Sequence, residues 1–327
     1  MKLLLEGVFS LICVQGLTKQ YGDKLALDNI HFTVEEGEVV GLLGLNGAGK
    51  STTMNILTGC ISLTDGQVTV NGIDISANPR AAKKIIGYLP EQPAFYPEMK
   101  VREHLDFICG LKGIKEGRKE HIAEVCRMVG LEEMQGRMIR NLSKGYRQRL
   151  GFAQALVGNP KVIILDEPTV GLDPSQIIEI RQLIKDSGKK STVIVSSHIL
   201  SEIQAVCDRI IMLKKGRIIA DCKTGEITGG KAAYGRLQIR VQGEAEATLA
   251  ALRTIDALET ITRLGQSEPG TWDFALESAD GADLRAAMFE ALAAAGLPLL
   301  LSHADQASLE DAFLSLASDA EGKEGVQ

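Results

Sequence analysis

The stretch Gly44-Leu45-Asn46-Gly47-Ala48-Gly49-Lys50-Ser51 has the spacing G-x-x-x-x-G-K-[ST], with Thr52 following. Glycines at these intervals let successive backbone N–H groups curl around a phosphate at a helix N-terminus, where the helix dipole favours negative charge. Lys50 then reaches the outer phosphate oxygens, and Ser51 offers a hydroxyl to Mg2+. Nearly 120 residues on, the run VIILDEP sets Asp166 and Glu167 at the end of an apolar strand. Asp166 suits a Mg2+ site, directly or through water, and Glu167 suits a general base that orients an attacking water. Phosphoryl transfer needs such positioning and charge cancellation more than covalent help.

Three further side chains belong with this chemistry by position. His198 directly follows the apolar run TVIVSS, and a neutral imidazole there could bond a terminal phosphate. A single histidine is otherwise a structural residue. Gln92 ends the segment IIGYLPEQ, and its amide could touch Mg2+ or the water; it reads equally as a polar loop residue. Tyr21 could stack on a base, although an aromatic in a turn also serves as packing.

The elements that must hold these residues are legible in the patterning. EVVGLLGLNGAGKSTTMNIL runs from a compact strand through glycines into a helix, which is the context a phosphate loop requires. Residues 11–37 alternate as strands around Tyr21-Gly22-Asp23, GQVTVNGIDI predicts a small hairpin, and IIGYLPE, KVIILDEP and STVIVSSH predict buried strands. Helical spacing at Val101, Leu105 and Ile108, and at Ile122, Val125 and Val129, predicts an insertion over 93–160. Strands alternating with helices indicate an α/β domain on a largely parallel sheet. Beyond 230 the order changes to β-α-β-β-α-β, a ferredoxin-like split unit, with a last helix around SLEDAFLSLAS.

Composition supports two domains. The chain has 327 residues and 45% hydrophobic content, and its net charge of −6 is uneven. Residues 231–327 carry 7 basic and 16 acidic side chains, a balance of −9, against +3 for residues 1–230. The expected boundaries are an extension over 1–11, the main domain over 12–228, an accessory α+β domain over 229–318 and a disordered tail over 319–327. The six cysteines form no CxxC pair and point to a reducing compartment. The apolar N-terminal run is interrupted by Glu6, and ALAAAGLPLLL is too short and too broken to span a bilayer.

One motif is left over: NLSKGYRQRL, at 141–150, sets small residues ahead of a helix as a second phosphate loop would. With it, the chain resembles the ATP-binding cassette (ABC) family of transporter subunits over residues 12–225, every motif standing in family order. These are the phosphate loop, the Gln loop at 92, the signature LSKGY at 142–146, the acidic strand end, GLDP at 171–174 and the switch His198.

The resemblance implies an ABC-type P-loop NTPase cassette with a parallel core sheet, an antiparallel β subdomain and a helical insertion, followed by a small α+β domain. It implies ATP and Mg2+ as ligands. It also implies a second cassette, identical or different, paired head to tail. Ser143, Lys144, Gly145 and Tyr146 would then face the ATP of the partner, and Asp173 would couple the sites across the seam. A separate transmembrane permease would complete the assembly, contacted through Phe95 and Tyr96 unless those residues are insertion core. The subunit would sit in the cytoplasm at the inner face of the membrane.

Leu45 stands where the family usually has proline, and Lys144 and Tyr146 where glycine and glutamine are commoner. This variant resembles exporters with a separate permease chain, as does the C-terminal extension. The alternative is a soluble ABC-type ATPase working on DNA or the ribosome. The sequence has neither the long coiled coil nor the second cassette of those branches, and the acidic chain carries no nucleic-acid recognition module.

Overall fold

Two strands of 12 residues, β1 (Ser10–Tyr21) and β2 (Lys24–Glu35), open the fold as a long antiparallel hairpin turned at Gly22-Asp23. The computed structural model describes residues 10–224, 236–278 and 282–304. It divides into two compact units, Met1–Cys222 and Lys223–Gln327.

In the first unit the hairpin joins β4 (Asp65–Val70) and β5 (Ile73–Asp74) in a four-stranded sheet of order β2-β1-β4-β5. The second sheet is built from β3 (Val39–Leu43), β6 (Ile86–Leu89), β7 (Val162–Asp166), β8 (Thr192–Ser197), β9 (Arg209–Lys214) and β10 (Arg217–Lys223). Its order is β10-β9-β3-β8-β7-β6. The pairs β3/β8, β3/β9, β7/β8 and β6/β7 are parallel. All residues of β3, β7 and β8 are buried. That burial is why these strands read as unbroken apolar runs rather than alternating ones.

Helix α1 (Lys50–Leu57) follows β3 and buries Met54, Ile56 and Leu57 in the core that the two sheets share. A short helix, α2 (Pro79–Ile85), occupies a stretch with no readable helical period; Pro79 starts it by presetting its first backbone angle. Between β6 and β7 lie α3 (Val101–Leu111), α4 (Arg118–Met128) and α5 (Lys144–Leu156), the helical insertion expected from the sequence. Gly87 admits α5 against β6, because a Cβ there would stand 2.0 Å from the Ala155 carbonyl oxygen. Helices α6 (Pro174–Gly188) and α7 (Leu200–Gln204) follow β7 and β8.

The second unit runs β11 (Arg236–Gln242), α8 (Ala245–Leu252), β12 (Leu258–Gly265), β13 (Thr271–Ser278), α9 (Arg285–Ala294) and β14 (Leu299–Ala304). Its antiparallel sheet has the order β12-β13-β11-β14. Leu237, Ile239 and Val241 alternate inward with Phe274 and Leu276, and Leu252, Met288 and Leu292 of the two helices close that core. This is the β-α-β-β-α-β order read from the sequence. The helix expected around SLEDAFLSLAS and the tail over 319–327 lie outside the described residues, as do residues 1–9. Among the described residues no helix is long and apolar enough to cross a membrane.

Candidate functional site

The parallel strands end together, and the segments leaving their carboxyl ends build one cavity of ≈ 550 Å³. Its walls include Asn46, Gly47, Gly49, Lys50, Ser51 and Thr52 from the loop and helix after β3, Glu167 after β7, His198 after β8 and Tyr21 from the β1–β2 turn. Open α/β sheets place ligands at this edge because the loops and helix N-termini converge there.

The loop from 44 to 49 depends on its glycines. Gly47 and Gly49 have φ of 83° and 110°, a region that side chains disfavour. A Cβ on Gly44 would lie 2.6 Å from the Leu213 carbonyl oxygen and 2.9 Å from the Cβ of Ala48. Ala48 itself is buried and its N–H donates to the Leu45 carbonyl at 3.1 Å, closing the loop.

Lys50 is buried at the start of α1 and donates to the carbonyls of Gly44 at 2.7 Å and Leu45 at 3.4 Å. Its Nζ also lies 3.3 Å from Oε1 of Glu167. The other carboxylate oxygen of Glu167 is 2.9 Å from Nδ1 of His198, whose side chain remains 42% exposed. The cation, the acid and the imidazole are therefore linked in series through the two oxygens of Glu167 within the cavity. Glu167 adopts a φ of 49°. A left-handed backbone at a non-glycine residue costs roughly 1 kcal/mol and persists only where surrounding bonds impose it.

Ser196 imposes it. Its hydroxyl accepts the Glu167 N–H at 2.9 Å and donates to Oδ1 of Asp166 at 2.6 Å. Ser51 approaches the same Oδ1 at 3.4 Å. Burial raises the Asp166 carboxyl above its ordinary range, and the Ser196 and Ser51 hydrogen bonds partly offset this. Behind these residues the buried Glu202 accepts from Thr169 at 2.5 Å and Ser197 at 3.1 Å, pinning the segments that carry Glu167 and His198.

Tyr21 is 48% exposed, and the Lys19 ammonium sits 4.9 Å from its ring centroid, leaving a flat aromatic at the cavity mouth. Gln92, expected here, is exposed and lies outside the cavity walls; Glu91 lines them instead. The chain bends at Glu91 and Gln92 past the end of β6, and of the two side chains only that of Glu91 reaches the cavity wall. Lys24, Lys215 and Val170 also line the cavity.

Ser196, Glu202, Glu91, Lys24 and Lys215 stand outside every motif read from the sequence. Their one signal there is the pair of hydroxyls Ser196-Ser197 ending an otherwise apolar strand.

The signature residues gather elsewhere in the unit. Ser143 caps α5, its Oγ accepting from the Tyr146 N–H at 3.4 Å, and Ser143 and Lys144 lie at the start of that helix, with Lys144 exposed. Gly145 is buried against α6, since a Cβ there would meet the Gln176 side chain at 2.6 Å. Lys144 lies over Gly171, where a Cβ would clash with its Nζ. Asp173 caps α6, accepting from Gln176 N–H at 2.9 Å and Ser175 Oγ at 2.6 Å. The bond from Ser175 leads in holding the Asp173 carboxyl below the usual range. None of Ser143, Lys144, Gly145, Tyr146 and Asp173 lines the phosphate-loop cavity. The two clusters are connected through buried Gln148 of α5, which donates to the Pro168 carbonyl, next to Glu167, at 2.8 Å.

Comparison with known proteins shows what the chain is similar to. Residues 27–170 match the family model described as ABC transporter. A bacitracin transport ATP-binding protein of Bacillus licheniformis is 36% identical over 238 residues, covering 72% of this chain and 77% of that protein. A linearmycin resistance ATP-binding protein of Bacillus subtilis is 35% identical over 250 residues, or 76% and 80%. The dimeric structure of a bacterial ABC transporter cassette superposes with a TM-score of 0.60 at 30% identity, over 65% of this chain and 98% of that one. A post-hydrolysis dimer of that cassette, bound to ADP and Pi, gives 0.59 at 28% identity over the same shares.

Proposed function

From the premise that the chain belongs to the ABC transporter ATP-binding family, we propose that its cavity and its signature cluster are two halves of different ATP sites, completed by pairing with a second cassette. The chain is an ATP-binding and ATP-hydrolysing subunit that dimerises to drive transport. The observation carrying the two-half-site reading is the separation within one unit. Lys50, Ser51, Glu167 and His198 share a cavity, whereas Ser143, Gly145 and Asp173 lie at the N-terminal ends of α5 and α6, outside it.

The loop N–H groups and Lys50 bind the outer phosphates, Lys50 exchanging its two carbonyl acceptors and Glu167 for phosphate oxygens. That exchange frees the Glu167 carboxylate to accept a proton from water, with His198 holding its second oxygen. Tyr21 stacks on the base. Across the dimer seam Ser143, Lys144, Gly145 and Tyr146 present the N-terminus of α5 to the terminal phosphate. Asp173 relays between the sites from the N-terminus of α6.

The oxygen donors Ser51 and Asp166, held 3.4 Å apart, fit a small hard cation. Mg2+ bound there would neutralise phosphate charge. The expected role of Gln92 in this metal site lacks support, since the side chain lies outside the cavity walls.

A groove of ≈ 710 Å³, lined in part by Arg80, Lys83 and Lys84 of α2, Tyr88 of β6 and Ile108, Leu111 and Lys112 of the α3 region, supports docking of the separate permease. In the same insertion, Tyr96 is 55% exposed and packs edge-on to Phe107, with ring centroids 5.6 Å apart. Phe95 turns instead to His104, at 5.3 Å, which supports insertion packing for Phe95 and leaves Tyr96 as the outward contact. Relatives named for bacitracin transport and linearmycin resistance support an exporter at the inner membrane face.

The test is Glu167→Gln. It should retain ATP binding, lose nearly all turnover and accumulate an ATP-dependent dimer in size-exclusion chromatography with light scattering. Unchanged hydrolysis would remove Glu167 as the base.

A further inference from the structure

Glu202 of α7 stands outside the cavity walls, yet it is a carboxylate only 8% exposed and, among the described residues, without an ion pair. We propose that Glu202 is a positioning residue for hydrolysis: one of its carboxylate oxygens holds Thr169 and Ser197 together and thereby fixes Glu167 against His198. The inference rests on the reading of Glu167 as the base.

Strands β7 and β8 pair in parallel as far as Asp166 and Ser196. The ladder ends at that pair, and Glu167 and His198 both stand beyond it, so interstrand backbone bonds do not set their separation. Side chains do. Ser196 and Ser197, consecutive on a strand, point to opposite faces. Ser196 serves Asp166 and the Glu167 N–H, whereas Ser197 donates to Oε2 of Glu202 at 3.1 Å. The same Oε2 accepts from Oγ1 of Thr169 at 2.5 Å. Each hydroxyl belongs to a turn that carries one of the two functional residues. The Val170 N–H donates to the Glu167 carbonyl at 3.3 Å, closing a turn around Thr169. Ser197 directly precedes His198, and its Oγ accepts the Ile199 N–H at 3.0 Å. A single oxygen thus ties the two turns behind the site, and in front of it Glu167 and His198 meet at 2.9 Å.

Stability alone does not account for this choice of residue. A carboxylate taken out of water without a cation is costly to bury, and two hydroxyls return less than an opposite charge would. Its neighbours Leu200 and Ile203 bury apolar side chains in the same short helix. What an apolar residue at 202 would lack is an acceptor on which two hydroxyls from different segments converge. That acceptor matters for rate, because a displacement of about 1 Å between groups that must act together slows a reaction by up to about a hundredfold.

The test compares kcat and KM for ATP, and the Kd of a non-hydrolysable ATP analogue, on the full chain. Glu202→Ala alone would strand two buried hydroxyls and destabilise the fold, so the main variant is Thr169→Val with Glu202→Met. Replacing both partners of a buried bond by apolar groups of similar shape is nearly neutral for stability, and Ser197 keeps its bond from the Ile199 N–H. This double variant should unfold with wild type, lose at least about tenfold in kcat, and keep KM and analogue affinity within about twofold. Glu202→Gln retains an oxygen that accepts both hydroxyls and should bring kcat back to within about threefold of wild type. A double variant that turns over at full rate, or whose analogue affinity falls as far as its kcat, overturns the inference. So does a Glu202→Gln variant as slow as the double one. Should the double variant unfold early, Thr169→Val decides: kcat must drop by about threefold or more at unchanged affinity, and full rate sinks the idea. Glu167→Gln measured alongside separates the premise. If it keeps its turnover, the base reading fails; if it is inactive while the Glu202 variants run at full rate, only the Glu202 inference falls.

Discussion

Ser196→Ala removes one hydroxyl from a fully buried position and breaks two bonds with it. The donation to Asp166 at 2.6 Å is charge-assisted and contributes about 1.5–3 kcal/mol. The Glu167 N–H, bonded at 2.9 Å, is left buried without a partner, at a cost of about 1–3 kcal/mol. Alanine keeps the strand and opens little volume, so the two terms, partly relaxed, predict a loss of about 2–4 kcal/mol in urea unfolding with an unchanged slope.

The loss depends on pH. The lost hydrogen bond serves the ionised form of Asp166, whose folded pKa is raised by burial above the ordinary 3.8. Loss of this bond raises the Asp166 carboxyl further, so the deficit is full above the variant's folded pKa and shrinks as pH falls from there through the wild-type value, because a protonated carboxyl needs the donor less. Function should suffer separately: Glu167 holds its left-handed φ of 49° partly through this bond, so kcat should fall about tenfold while nucleotide affinity stays within about twofold. A variant within about 0.5 kcal/mol of wild type, on the scale of a neutral surface change, and turning over at full rate would refute the reasoning.

Burial pushes the Lys112 ammonium from 10.5 down to about 8, so the native state bears an uncompensated charge at pH 7. At about 1.4 kcal/mol per pKa unit, less about 1 kcal/mol for the bond to the Ile86 carbonyl, Lys112→Met should stabilise the fold by roughly 2 kcal/mol. The sign follows from proton counting: between pH 8 and 10.5 the unfolded chain holds the proton and the native chain does not, so wild-type stability gains on the variant across that window, and denaturant titrations at several pH values measure the narrowing. Ser143→Arg should spare ATP binding by the isolated chain and abolish ATPase activity. Co-expression with Lys50→Ala should restore activity, because the mixed dimer retains one intact composite site; absence of recovery in purified mixed dimers would count against the two-half-site arrangement.

How much was legible beforehand depended on how far apart the partners lie in the chain. The phosphate loop, VIILDEP and SSH are contiguous, and each announces its own local structure: glycines at positive φ, apolar strands buried on both faces, polar residues at the strand ends. The ferredoxin-like order of the second unit was readable for the same reason, since β11 and β13 alternate inward residues along short strands. Helix α2 was not readable, because seven residues hold too few turns to display a period.

The sequence by itself thus determined the chemistry at hand, an ATP-handling loop, an acidic strand end and a signature helix, because each is a property of consecutive residues. Only the tertiary structure decided which groups meet. Ser196 joins Asp166 across 30 positions of chain, Ser51 reaches it across 115, and Lys50 pairs with Glu167. It also decided that Glu91 rather than Gln92 lines the cavity. The physical reason is that the order and register of parallel strands bring segments distant in the chain to one edge of the sheet.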